Sequence, residues 1–152
     1  MSAGRDETVL PLGNMRFRVS VEGLAESRAF EVVLPEARIT RARGGARVAY
    51  GPLIVRRALT RCGEWYAWWD AARREARVSP RRVQVVLGDA AGRDARRWLY
   101  GGAVPVAYQL SPLHALGDQP VIESLELEVA SFELEAAQER GRRSRVKAKG
   151  PV

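Results

Sequence analysis

Apolar and polar side chains alternate along most of this chain, which is the pattern of half-buried β-strands. The alternation starts at Met15, Phe17, Val19 and Val21 and returns in short runs separated by turns rich in glycine, proline and charge. The pattern predicts further strands near residues 30–34, 38–41, 53–60, 83–87, 96–100, 106–110 and 121–128, and a turn over residues 43–46 that leads to Val48 and Tyr50. About seven or eight short strands are typical of a sandwich or a barrel.

The spacing of apolar residues changes once, directly after the predicted strand at residues 53–60. Trp65, Trp68 and Trp69 recur at the spacing of one helix face, and Ala72 and Ala76 continue it. The pattern predicts an α-helix over about residues 63–77 that lies as a lid on the sheets. Each aromatic ring buries about 150–250 Å². We therefore expect the tryptophans to anchor the helix to the core, and these anchors are Trp65, Trp68, Trp69 and Trp98.

Two further irregularities mark the C-terminal half of the chain. Gly101-Gly102 and Pro105 are expected to interrupt strand structure, and the apolar phase shifts by one residue near Ala130-Ser131, which indicates a bulge or bend. The resulting fold class is mainly β: a two-sheet β-barrel or sandwich with one packed α-helix.

The net charge of +7 is concentrated at one end of the chain. Residues 1–139 hold 19 basic and 18 acidic groups, whereas residues 140–152 hold six basic groups and no acidic one. Such a run repels itself and has little to bury. The predicted organisation is a flexible N-terminus over residues 1–12, one domain over 13–138 and a basic flexible arm over 139–152.

Charge is also segregated within the predicted domain. Residues 36–97 carry 15 basic and six acidic groups, and residues 118–139 carry seven acidic groups and no basic one. Oppositely charged faces favour head-to-tail association of identical subunits. The alternative is that the two segments are neighbours and pair their charges within one subunit.

The residues offer little enzymatic chemistry, so we predict a non-enzyme with no catalytic, metal or cofactor site. His114 is the single histidine, and nothing in the sequence joins it to Cys62 as a nucleophile and base. The Gly-Gly pairs lack the lysine and hydroxyl of a phosphate-binding loop. The spacing of Glu123, Glu126 and Glu128 does not favour a pair of catalytic acids. Glu126 and Glu128 share one strand face, and glutamates that alternate in this way are more often the solvated side of a strand.

Cellular location is predicted from three absences. One cysteine excludes an internal disulfide, which favours folding in a reducing compartment. The polar N-terminus lacks the apolar core of a signal peptide, and no window is apolar enough for a membrane helix. We therefore expect cytoplasmic assembly and no membrane segment.

Nucleic-acid binding is the alternative function of a different class. The arginines between residues 41 and 57 and the C-terminal run could neutralise phosphates, and aromatic rings could stack on bases. The tryptophans, however, recur at the spacing of a core, which leaves Tyr50 and Tyr100 as the candidate stacking rings.

Four segments together resemble a known family. They are residues 15–24 (MRFRVSVEGL), residues 53–69 (LIVRRALT followed by EWYAWW), residues 85–106 (VVLGDAAG before RRWLYGGAVPV) and residues 116–127 (LGDQPVIESLEL). In order and spacing they resemble the tail tube proteins of contractile phages and phage-derived contractile injection systems, which are related to the tube protein of type VI secretion.

The resemblance implies a structural subunit that forms hexameric rings, and rings that stack into a hollow tube driven out by sheath contraction. The implied partners are other copies of the chain and the sheath and baseplate proteins. The lumen would hold cargo, and nucleic acid would be a partner only if a phage genome passes through. After assembly the protein would belong to a phage tail or an extracellular particle.

The resemblance also directs attention to the segment before Leu53. Family members commonly carry a longer hairpin or loop here that reaches the adjacent ring, whereas residues 43–52 are compact and rich in glycine. This difference and the basic arm would also fit a specialised initiator ring at the baseplate. The residues expected in self-assembly are Arg41, Arg43, Gly44, Gly45, Arg47, Tyr50, Glu126 and Glu128.

Overall fold

The computed structural model describes residues 10–26, 28–75 and 79–135. Nine strands and one helix lie in these ranges: β1 Phe17–Val21, β2 Glu31–Val33, β3 Ala37–Ala42, β4 Gly45–Tyr50, β5 Leu53–Ala58, α1 Glu64–Arg74, β6 Arg81–Gly88, β7 Asp94–Leu110, β8 Ile122–Glu128 and β9 Ser131–Glu135. The predicted basic arm over residues 139–152, and most of the predicted flexible N-terminus, lie outside the described residues.

Two antiparallel sheets share the long strand β7. The first half of β7 pairs with β6 on one side and β9 on the other, and β1 continues beyond β6; we call this sheet 1. The second half of β7 pairs with β8, followed by β5 and β2; we call this sheet 2. Within the described residues the sheets do not close into a barrel. The predicted fold class, mainly β with two sheets and one helix, is confirmed.

A bend at paired glycine and alanine positions lets β7 serve both sheets. Gly102 has a φ of +64°, and a Cβ added there would lie 2.7 Å from the Cβ of Ala130. The Ala130 N–H donates to the Gly101 carbonyl at 2.9 Å. The predicted bend near Ala130-Ser131 is confirmed, but the expected break at Gly101-Gly102 and Pro105 is wrong because β7 continues through both. The strand instead absorbs Pro105 in a register shift before Ala107.

One core lies between the sheets, and the alternating positions of the strands build it. The sheet 1 strands β1 and β6 contribute buried valines, and the sheet 2 strands β5 and β8 contribute buried leucines and Val55. Alternation starts later than predicted, since Met15 precedes β1 and is 87% exposed. Phe30 likewise precedes β2 and is exposed.

Helix α1 packs its indole stripe against the core. Trp65 and Trp68 are buried, whereas Trp69 is half-buried and packs against the core. Asp70 forms ion pairs with Arg73 and Arg74 on the outer side of the helix, at 2.6 and 3.0 Å. Among the described helical residues, none forms a span long and apolar enough to cross a membrane.

Strands β3 and β4 form a two-stranded sheet of their own, which we call the hairpin. Every residue from Ala37 to Ala49 is exposed. The Gly51 N–H donates to the Glu36 carbonyl at 2.9 Å, which closes the base of the hairpin. The structure therefore has an extended hairpin where the sequence suggested a compact loop.

Candidate self-assembly surface

The hairpin has one face that is largely apolar. Ile39 lies opposite Val48, and Ala37 lies opposite Tyr50, so these side chains share one side of the two strands. Ile39 is 58% exposed and Val48 is 53% exposed. A two-stranded hairpin alone is marginally stable in water. A projecting hairpin with exposed β-branched side chains is suited to contact with another protein surface.

Basic side chains surround this apolar face. Arg41 lies at the tip end of the apolar face, and Arg43 lies in the turn. Arg47 lies on the opposite face together with Arg38. Gly45 has a φ of +114°, which permits the tight turn after Arg43 and Gly44. The structure therefore brings six of the eight predicted self-assembly residues, Arg41 to Tyr50, into one element.

The two remaining predicted residues lie on a different surface. Glu126 and Glu128 are on β8, where Glu126 lies opposite Ile54 and Ala107 on the outward face of sheet 2. Within the described ranges, Arg41, Arg43, Arg47, Glu126 and Glu128 form no ion pair with one another or with other described residues. These five charges therefore have no ionic partner within the described part of the chain.

A buried polar network, which the sequence interpretation missed, connects sheet 2 to α1. The Arg57 Nε donates to Glu123 Oε1 at 2.8 Å, and both side chains are at most 4% exposed. The Tyr108 hydroxyl donates to Glu123 Oε2 at 2.5 Å. The Arg57 guanidinium also lies over the Trp65 ring, 3.9 Å from its centroid. This network fixes the helix and three strands with charge-assisted contacts.

Strand parity could have identified this network. Glu123 is in phase with Leu125 and Leu127, which face the core, whereas Glu126 and Glu128 have the opposite phase. Arg57 is likewise in phase with Leu53 and Val55. Glu128, for which a solvated strand face was expected, is exposed, and Glu126 on the same face is half-buried, whereas Glu123 on the other face is buried.

Burial keeps two tyrosines protonated over a wide pH range. The pKa of Tyr108 is raised above its usual value of 10.0, first by burial and then by its hydrogen bond to Glu123. Burial raises the pKa of Tyr100 to about 12. Tyr100 is stacked on Phe132, with ring centroids 5.2 Å apart, and is 3% exposed. The suggestion that Tyr100 stacks on nucleic-acid bases is therefore wrong.

The other aromatic anchors also face the interior. Trp69 forms a cluster with Tyr66 and Tyr108, with ring centroids 5.6 to 6.3 Å apart. Trp98 lies on β7, opposite Val85 on one side and Leu134 on the other, and is partly buried against the core. The four tryptophans thus contribute to packing.

The two residues considered for nucleophile chemistry, Cys62 and His114, lie in loops. Cys62 is exposed, and its N–H donates to Thr60 Oγ1 at 3.2 Å. The His114 carbonyl accepts the Gly117 N–H inside the loop between β7 and β8. Among the residues that the structure describes, no cluster of His, Cys, Asp or Glu has the composition of a metal site.

Several solved structures are similar to this one. A chain of the PVC sheath-tube complex, an extracellular contractile injection system in its extended state, is 16% identical, covers 90% of this chain and 99% of its own, and superposes with a TM-score of 0.68. A chain of the anti-feeding prophage baseplate is 18% identical, with coverages of 85% and 98% and a TM-score of 0.66. Hcp1 from Flavobacterium johnsoniae is 11% identical, with coverages of 80% and 96% and a TM-score of 0.62.

The sequence comparisons identify the family. No curated protein matches the chain. The family model described as T4-like virus tail tube protein gp19 matches residues 13–133, which is nearly the whole of the two sheets, the hairpin and α1. The chain therefore belongs to the T4-like tail tube protein family and is a structural tube subunit.

Proposed function

We propose that this protein forms hexameric rings and that the rings stack into the hollow inner tube of a contractile injection particle or phage tail. The family match over residues 13–133 carries this proposal. In this role the chain is not an enzyme. It forms part of the tube wall, and its function depends on assembly.

The strand edges support ring formation. Within the described residues β1 pairs only with β6, and β2 pairs only with β5, so each sheet ends in a strand with one open side. Open edges invite unwanted pairing in a monomer. A ring that pairs each edge with a neighbouring subunit removes this hazard and gains main-chain hydrogen bonds.

The charges that form no ion pair with other described residues support a role in assembly. We assign Arg41, Arg43 and Arg47 on the hairpin to the basic side of contacts between subunits, and Glu126 and Glu128 on sheet 2 to the acidic side. Gly44, Gly45 and Tyr50 shape the hairpin that carries the arginines. Complementary charge sets the orientation of such contacts more than their strength.

The similar structures support a proposal about partners and setting. The PVC chain comes from a sheath-tube complex and the anti-feeding prophage chain from a baseplate. By analogy, we propose that sheath and baseplate proteins of the same particle contact this tube, that the lumen holds cargo, and that assembly takes place in the cytoplasm before the particle leaves the cell.

Negative-stain microscopy and sedimentation of the purified full chain test the proposal. We expect six-fold rings, and tubes at high protein concentration or on addition of baseplate proteins from the same particle. A protein that stays strictly monomeric under all of these conditions would contradict ring formation. Rings with another subunit number would contradict the hexamer alone.

A further inference from the structure

A groove lies beside α1, next to the turn after β1 and the start of β6. Its volume is about 350 Å³, within the range of about 300–1,000 Å³ that is usual for ligand sites. Ala67, Ala71 and Ala72 form its wall on α1, and Leu24 and Ser79 also line it. Small side chains along the helix leave room for the backbone of an extended peptide.

Two buried hydrogen-bond donors belong to residues of this groove. Trp68 is 6% exposed, and its Nε1–H has no acceptor among the described residues. The Nε–H of Arg81 is likewise buried without an acceptor in the described part of the chain. The Arg81 Cζ lies 5.4 Å from the centroid of the Trp68 ring, so the two donors belong to one contact. Because a buried donor without an acceptor costs free energy, the groove is suited to a ligand that brings carbonyl oxygens.

The charges that line the groove favour a basic ligand. Glu64 begins α1 and Glu75 follows its last residue, and both carboxylates line the groove. Neither forms an ion pair with a described residue. Arg81 is the single basic residue of the described lining. The carboxylates therefore attract a basic peptide and repel an acidic one.

The basic arm of this chain has a matching pattern. From Ser144 to Gly150 small residues alternate with basic ones, and the small residues include Val146 and Ala148. Because successive side chains of an extended chain point to opposite sides, one side of this segment is small and the other is positively charged. Such a segment complements a groove that has alanines on its wall and carboxylates beside it.

Strand β9 ends within reach of the groove. Glu135, its last residue, lies opposite Arg97 of β7, which lies opposite Val86 of β6. Arg81 begins β6, five residues before Val86. That length of strand is about 17 Å, and two strand spacings add about 10 Å sideways. The ten residues between Glu135 and Val146 span up to about 33 Å when extended. The arm is therefore long enough to reach the groove of its own subunit.

We propose that the basic arm docks in this groove of its own subunit, with Val146 and Ala148 against the alanines of α1. A backbone carbonyl of the arm accepts the Trp68 N–H, and the basic residues of the arm lie beside Glu64 and Glu75. The inference goes beyond tube assembly, because it concerns a single subunit. Docking covers the groove and pairs part of the charge of the arm.

Disulfide trapping tests the docking in the full chain. In a Cys62→Ser background, Ala67→Cys is combined with Ala148→Cys and oxidised with copper phenanthroline at a protein concentration too low for tubes. Because docking raises the local concentration of one thiol at the other, we expect the internal disulfide to form about tenfold faster than in the control pair. The control combines Ala148→Cys with Ala49→Cys, since Ala49 and Ala67 are both exposed. Non-reducing gels and peptide mass mapping identify the bonds.

Salt and charge variants complete the trapping test. Trapping should slow at high salt and in Glu75→Lys, which replaces attraction by repulsion, but not in Glu128→Lys on sheet 2. Equal rates in the two cysteine pairs would overturn the inference, because the arm would then visit both surfaces alike. Disulfides that join two copies, with none formed inside one copy, would overturn docking within the subunit.

Limited proteolysis of the full chain gives a second test. Trypsin cleaves after lysine and arginine, so docking should protect the bonds of the arm. Ala67→Arg with Ala71→Arg fills the groove with bulk and positive charge, and we expect cleavage of the arm to become about tenfold faster, since it follows the population of undocked arm. Ala49→Arg on the hairpin is the control. Equal cleavage rates in both variants would overturn the inference, and if the filled groove prevents folding, Glu75→Lys applies the same test through charge alone.

Discussion

At the scale of single residues, the Arg57–Glu123 pair is the most consequential feature. Both side chains are buried, and Glu123 also accepts the Tyr108 hydroxyl. A buried ion pair adds little net stability compared with apolar residues of similar size, but removal of one partner is costly because the other charge stays buried. The pair therefore makes three strands and α1 depend on one another.

Glu123→Ala should lower the free energy of unfolding by about 3–5 kcal/mol, because Arg57 then stays buried without its carboxylate. The double variant Arg57→Met with Glu123→Leu should recover most of this loss, since neither charge remains. Urea denaturation measures both. Glu126→Ala on the outward face is the matched control, and an equal loss there would contradict the assigned burial.

A second prediction at this scale concerns alkaline pH. Burial raises the pKa of Tyr100 to about 12 in the folded protein, against 10.0 as the ordinary value. Above pH 10 the unfolded chain releases the proton while the folded chain retains it, so the stabilisation present below pH 10 is lost progressively up to about pH 12. Denaturant midpoints across this range should fall less steeply for Tyr100→Phe than for the wild type. Identical slopes would refute the predicted coupling.

At the scale of elements, β7 shows what local sequence can and cannot predict. Alternation located most strands, and the tryptophan spacing located α1 to within a few residues. Gly101-Gly102 was interpreted as a break because glycine weakens strands. In the structure the same glycines permit a close approach to Ala130, a contact between segments 28 residues apart that no local pattern contains.

Gly102→Ala tests the bend. The substitution forces a positive φ on an L-residue and places a Cβ 2.7 Å from that of Ala130, so we expect a loss of about 1–3 kcal/mol. Gly44→Ala is the matched control, since no atom lies within 4 Å of its added Cβ. Thermal denaturation compares them, and equal melting temperatures would show that the bend tolerates a side chain.

At the scale of the whole molecule, the candidate surface was only partly predictable. Charge counts singled out the arginines near residue 43 and the glutamates of β8, but the pairing of strands put them on separate elements. The exposure of β3 and β4 shows that these strands stand apart from both sheets. Their alternation of apolar and polar residues does not show it, because it resembles that of the core strands. The placement of exposed Phe30, Leu59 and Leu116 at one end of sheet 2 could be found only from the fold, because these residues are distant in sequence.

Reversal of charge tests the assembly of the whole particle. Arg41, Arg43 and Arg47, all changed to Glu, should abolish tubes while the melting temperature stays near that of the wild type, because these side chains are exposed and form no described ion pair. Glu126 and Glu128, changed to Arg in the same chain, should restore tubes if these groups meet between copies, since the swapped charges again attract. Sedimentation and negative-stain microscopy score each variant at low and high salt, where screening separates charge effects from shape. Persistent failure of the swapped protein, with rings still present, would assign the arginines to a different acidic partner.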